Sequence, residues 1–198
     1  PVSYGGGLRV RYGPVLLDRC DFLRNRNDAE DPRSRFGGGV HFGSVTDATL
    51  VRECTFGENT AGRAGAIYLT AGTIETSNFH ANQARWMGGA VEATNVSFVN
   101  DTFHSNLCLQ AEDDADLGGG AIHLSGTCTL QDCTFELDAH RAESGELADE
   151  DGGGAIRAVD ATVSIAGGSF TGCTSTIHAG TAKNSTDRAG GGAIHAMG

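Results

Sequence analysis

Gly118-Gly119-Gly120-Ala121-Ile122-His123 is the stretch that decides the fold, because the chain keeps restating it. It returns as Gly152-Gly153-Gly154-Ala155-Ile156-Arg157 and as Gly190-Gly191-Gly192-Ala193-Ile194-His195. Shorter copies stand at Gly88-Gly89-Ala90-Val91-Glu92, Gly65-Ala66-Ile67-Tyr68, Gly37-Gly38-Gly39-Val40-His41 and Gly5-Gly6-Gly7-Leu8-Arg9. Seven copies in 198 residues make an internal array, which must be read before any single-residue motif.

A second mark keeps step with the first. Six of the glycine clusters are followed by a phenylalanine: Phe22, Phe56, Phe79, Phe103, Phe135 and Phe170. Three residues later stand Asn25, Asn59, Asn82 and Asn106, and then Asp138 and Cys173 in the last two repeats. The spacing from glycines to Phe varies from 14 to 18 residues, whereas Phe to the next cluster varies from 9 to 22. A near-constant half and an elastic half are what stacked repeats show when neighbours template the strands and one loop accepts insertions.

Superposing the repeats on Phe exposes the apolar columns. Five residues earlier stand Leu17, Val51, Ile74, Phe98, Leu130 and Ile165; two earlier stand Cys20, Cys54, Ser77, Asp101, Cys133 and Gly168. Spacing by two within each group is strand periodicity. The polar pairs between, such as Asp18-Arg19, Arg52-Glu53 and Glu75-Thr76, predict a bend that lets both flanking strands face one axis. The shortest repeats, 23 and 24 residues, suffice for one circuit of three short strands separated by a turn, this bend and the loop after Asn.

The expected fold is therefore all-β: a right-handed parallel β-helix solenoid of about six three-strand coils, one segment over residues 1–198 of a longer repeat protein. Coils stacked roughly 4.8 Å apart turn each column into a ladder of like residues. The phenylalanines, with Ile67, Ile122, Ile156 and Ile194, form the expected dry core. The asparagines are expected to pass amide hydrogen bonds from coil to coil. Asp101 falls in an inward column, and a local shift of its strand is the simpler expectation than a buried acid.

Gly119-Gly120-Ala121-Ile122 paired with Phe-Leu-Arg-Asn25, Phe-Gly-Glu-Asn59, Phe-His-Ala-Asn82 and Phe-His-Ser-Asn106 resembles the repeat pair of the polymorphic outer-membrane proteins. These are surface autotransporter passengers of obligate intracellular bacteria. The resemblance spans the chain and implies a parallel β-helix surface protein engaged in adhesion and display.

Composition narrows the alternatives. Net charge is −11, concentrated in the inserts around Glu112–Asp116 and between Glu136 and Asp151. An acidic chain with one lysine is a poor partner for nucleic-acid phosphates. No apolar run approaches the ~18 residues of a membrane-spanning helix, so no membrane insertion is expected of this segment. Thirty glycines and three prolines argue for many tight turns.

Each candidate for chemistry has a plainer reading beside it. The outward column Arg9, His41, Tyr68, Glu92, His123, Arg157 and His195 offers a grip for polysaccharide or protein, but a solvated strand face carries more weight. Asp113, Asp114, Asp116, Asp149 and Asp151 offer oxygen ligands for Ca²⁺, yet lack the spacing of a dedicated calcium loop and read first as solvated acids. Cys20 and Cys54 share a column, and a disulfide between them weighs evenly against two small core thiols. Asn95, Asn100 and Asn184 head N-glycosylation sequons, with Asn184 in the freest loop.

No catalytic residue and no cofactor is assigned. The expected function is a structural extracellular or cell-surface rod, an adhesin stalk or filament subunit, meeting other subunits or a host or matrix surface through its insert loops. The rivals are a polysaccharide lyase or glycosidase, which needs paired carboxylates on adjacent coils, and a passive glycan-binding surface on the same scaffold.

Overall fold

A computed structural model describes residues 3–27, 35–110, 118–142, 152–177 and 192–197. Among these residues the chain is all-β, with no helix. Strands pair in parallel, each with the equivalent strand of the neighbouring repeat, and gather into three curled sheets.

The largest sheet joins two strips. One consists of the strands that follow the glycines, Leu8–Tyr12, Val40–Ser44, Ile67–Leu69 and Val91–Thr94; the other consists of Leu16–Asp18, Leu50–Arg52, Gly72–Glu75 and Val96–Val99. In Ile122–Gln131 and Ile156–Ala166 the two strips run together as one long strand. A second sheet carries the phenylalanines on Asp21–Leu23, Thr55–Gly57, Asn78–His80, Thr102–His104, Thr134–Glu136 and Ser169–Thr171.

The third sheet departs from expectation. Segments after each asparagine, expected as free loop, are strands: Thr60–Arg63, Gln83–Met87, Leu107–Gln110, Ala139–Ala142 and Thr174–Ile177, with Ser3–Tyr4 and Arg35–Phe36 before them. Their burial alternates as a strand's must, with Ala84 and Trp86 buried on either side of exposed Arg85. Parallel pairing with the next repeat satisfies their backbone groups, so the inserts that follow Leu107–Gln110 and Ala139–Ala142 begin only after the strand.

The bends fall where the polar pairs placed them. Arg19, Glu53, Thr76, Asn100 and Asp132 all turn at φ between 51° and 54°, a left-handed conformation costing each about 1 kcal/mol. A second corner repeats before the asparagines, at Arg24, Glu58, Ala81, Ser105 and Leu137. Pairing recovers the cost: Arg19 N–H donates to Arg52 C=O, and Glu53 N–H to Glu75 C=O. At the glycine turns the constraint is contact between repeats. A Cβ on Gly89 would overlap the carbonyl oxygen of Gly120, and one on Gly120 would overlap that of Gly154.

The core is a set of ladders. Phe22, Phe56, Phe79, Phe103, Phe135 and Phe170 stack with successive ring centroids 5.1, 5.0, 4.8, 4.8 and 4.8 Å apart and ring planes nearly parallel. Val40, Ile67, Val91, Ile122 and Ile156 lie in register and are fully buried; Ile194 continues the register but is partly exposed. Asp101 corrects the sequence reading. Thr102–His104 keeps register with both neighbours, and Asp101 is completely buried without any shift of the strand.

Candidate functional site

Two polar columns run through the turns. Asn25 donates from its backbone N–H and from Nδ2 to Asn59 Oδ1, both at 2.9 Å. Asn59 does the same to Asn82, Asn82 to Asn106, and Asn106 to Asp138 Oδ1 at 2.8 and 2.9 Å. The second Nδ2 hydrogen goes to a phenylalanine carbonyl of the preceding repeat, such as Asn82 to Phe56 at 2.9 Å. The amides of Asn59, Asn82 and Asn106 are thus used fully, which is why these buried asparagines are tolerated.

The column two residues before Phe works alike with mixed side chains. Cys20 N–H donates to Cys54 Sγ at 3.4 Å, Cys54 N–H to Ser77 Oγ at 3.2 Å, and Ser77 N–H to Asp101 Oδ1 at 2.8 Å. Val99 N–H donates to the other Asp101 oxygen at 3.1 Å. Burial pushes both Asp101 and Asp138 up to about 7, against the backbone hydrogen bonds that favour their charged forms. Asp138 Oδ2 has no hydrogen-bond partner among the described residues.

Cys20 and Cys54 stand as free thiols, as do Cys108, Cys128, Cys133 and Cys173. Burial raises the Cys54 and Cys128 thiols and pushes Cys133 up to about 11, away from the thiolate form that nucleophilic chemistry needs. Asn95 and Asn100 are exposed at left-handed corners, and Asn95 Oδ1 accepts from Thr127 N–H at 2.9 Å. Asn184 and the calcium candidates Asp113, Asp114, Asp116, Asp149 and Asp151 lie outside the described residues. Among the described residues no group of three or more His, Cys, Asp or Glu is arranged to hold a metal ion.

The outward column is the largest correction. Instead of a solvated face, His41, Glu92, His123 and Arg157 are buried, Arg157 completely. Residues of the third sheet cover them. Tyr4 and Phe36 stack at 5.6 Å and meet His41 edge-on, and His41 stacks on Tyr68 at 5.0 Å. The Arg63 guanidinium lies 4.8 Å from the Phe36 ring centre and grips both Glu92 oxygens, Nε at 2.9 Å from Oε2. Farther along, Arg157 Nη1 is 3.4 Å from His195 Nδ1, and His140 Nδ1 is 3.2 Å from Ser175 Oγ.

This seam is a second core of rings and charges outside the apolar one. Burial, aided by Arg9, drives His41 down to about 4; burial with Arg157 and Arg63 drives His123 to about 3, and burial with Arg157 and His195 drives His140 to about 4. All three imidazoles are neutral at neutral pH. Glu92 is pushed up by burial against the pull of Arg63. Its chemistry is that of a packed wall: carboxylate saturated by guanidinium, and imidazoles held as uncharged packing groups. A signal was present in the sequence, since Phe36, Arg63 and Trp86 sit at the ends of the strands that follow Asn, but reading those strands as loop concealed it.

Comparison with family models, with curated proteins and with solved structures returned no match to this chain.

Proposed function

We propose that the chain is a stretch of right-handed parallel β-helix serving as a structural rod at a cell surface or outside the cell, an adhesin stalk or filament subunit whose insert loops make the contacts. One observation carries the reading: five consecutive Phe-on-Phe contacts at 4.8–5.1 Å run beside a continuous chain of Asn amide bonds. Ladders of this kind stiffen an array along one direction and leave the inserts free to vary. The buried acids support the same reading, since Asp101, Asp138 and Glu92 act as acceptors within the wall. The resemblance to polymorphic outer-membrane protein repeats points the same way.

Small-angle scattering from the purified chain is expected to give a skewed distance distribution with one constant cross-section; a symmetric, globular distribution would overturn the rod. Beads coated with the chain are expected to adhere to cultured cells or matrix-coated wells. Replacing residues 111–117 and 143–151 by short Gly-Ser loops should abolish adhesion without changing the melting temperature, and undiminished adhesion would remove the inserts from the proposal.

A further inference from the structure

We infer that the cleft between Tyr4, Arg9, Arg11 and Tyr12 is a binding site for a single carboxylated sugar, a uronic-acid-type pyranose at the end of a glycan. The cleft, about 200 Å³ in volume, runs along Leu8–Tyr12, with Val10, His41, Gly43 and Ser44 completing its lining. This inference does not need the rod reading, because the site would bind whatever the repeats are for.

Three observations carry it. First, Arg9 and Arg11 are exposed and two residues apart on one strand, so they project to the same side, ~7 Å apart. Neither has a carboxylate partner among the described residues, whereas Arg24 holds Glu58, Arg52 holds Asp18 and Arg63 holds Glu92. Two unneutralised guanidiniums in a chain of net charge −11 form a local anion site. Seven of the fourteen Lys and Arg side chains fall in the first 36 residues, so the positive charge is gathered at this end.

Second, each guanidinium is set against an aromatic ring. Arg9 Cζ lies 4.1 Å from the Tyr4 ring centre and Arg11 Cζ 5.6 Å from that of Tyr12. A planar guanidinium steadied on a ring can offer its fork to a carboxylate in two parallel hydrogen bonds. The Tyr12 side chain, 71% exposed, leaves ring surface on which the C–H face of a pyranose can lie. Third, His41 lines the cleft as a buried ring packed edge-on against Tyr4 and stacked on Tyr68, which gives the site a firm floor.

Size and charge select the ligand within the anions. The cleft holds about one ring, and among the described residues two positive charges, Arg9 and Arg11, line it. The acidic remainder of the chain repels an extended polyanion, which favours one terminal acidic sugar over nucleic acid or a long polyuronate.

The test compares methyl β-glucuronide with methyl β-glucoside, which differ in the carboxylate, and with acetate, which lacks the ring, using saturation-transfer NMR and titration on the intact chain. The glucuronide is expected to saturate and the glucoside to bind at least about tenfold more weakly, as a lost charge-assisted hydrogen bond implies. Arg9→Gln with Arg11→Gln should abolish glucuronide binding. Tyr12→Ala, at a side chain outside the core, should weaken it severalfold while leaving acetate unaffected. Arg24→Gln, at an exposed ion pair elsewhere, is the control and should change nothing. Absence of glucuronide saturation, equal binding of acetate, or full binding by the double variant at an unchanged melting temperature would each overturn the proposal.

Discussion

Asp138 and Asp101 show how a repeated column treats a substituted residue. Each accepts the hydrogen bonds that the neutral side chain of the neighbouring repeat accepts, Asn106 for Asp138 and Ser77 for Asp101. A carboxylate, however, brings charge where the column is dry, and Glu136 and Glu75 nearby oppose its ionisation further. Folded values near 7, above the ordinary 3.8 of an aspartate, mean that the native state holds these protons more tightly than the unfolded chain. Their contribution is therefore full below pH ~4 and is lost as pH rises towards 7. The neutral His41, His123 and His140 act in the opposite sense, costing stability as pH falls below 6.5 towards 4. The difference between variant and parent, not the raw curve, isolates the acids. Asp138→Asn, which restores the amide of the column, is expected to stabilise the protein at pH 8 by about 1–3 kcal/mol and to do little at pH 4. Chemical denaturation at both pH values checks it; a gain independent of pH would show that Asp138 is not neutral in the fold at low pH. Asp101→Ser, after Ser77, should behave likewise.

Among the elements, two substitutions test the ladders. Gly89→Ala places a methyl against the Gly120 carbonyl and the Leu107 backbone, with no flexible side chain to yield, so a loss of several kcal/mol is expected in thermal or urea unfolding. Ile122→Asp puts an unpaired charge in a fully buried column and should unravel the neighbouring repeats; unchanged melting would contradict the inward register. The strands around these residues were legible because Phe, Ile and Gly recur at nearly fixed offsets, and period-two alternation assigned their inward faces correctly. The strands after asparagine were not, because Thr60–Arg63 and Leu107–Gln110 carry no shared residue that marks them, and parallel pairing, not side-chain identity, makes them strands. The buried seam was missed for the same reason. His41, Tyr68 and Glu92 look solvated on an isolated strand, and Tyr4, Phe36 and Arg63 arriving from the third sheet close them off.

For the whole molecule, stability should be distributed along the array. The middle repeats bury Phe56, Phe79, Phe103 and Phe135 completely or nearly so, while Phe170 and Cys173 are half-buried and Ile165 is 40% exposed. The single tryptophan, Trp86, is buried in the middle and reports there alone. In urea, loss of far-UV circular dichroism is expected to begin before Trp86 fluorescence changes, and coincident transitions would show one cooperative unit instead. The asparagine column adds a sense of direction. Every amide hands one Nδ2 hydrogen onward to the side-chain oxygen of the next repeat, and each side-chain oxygen from Asn59 on takes one from the repeat before, so the row of side chains is a one-way relay of aligned dipoles. A segment laid against it head-first would set oxygen against oxygen or hydrogen against hydrogen. Asp138, with no amide hydrogens to hand on, closes the relay: whatever follows is aligned by main chain and thiol rather than by that queue of identical side chains, a natural breakpoint for exchanging one run of repeats for another.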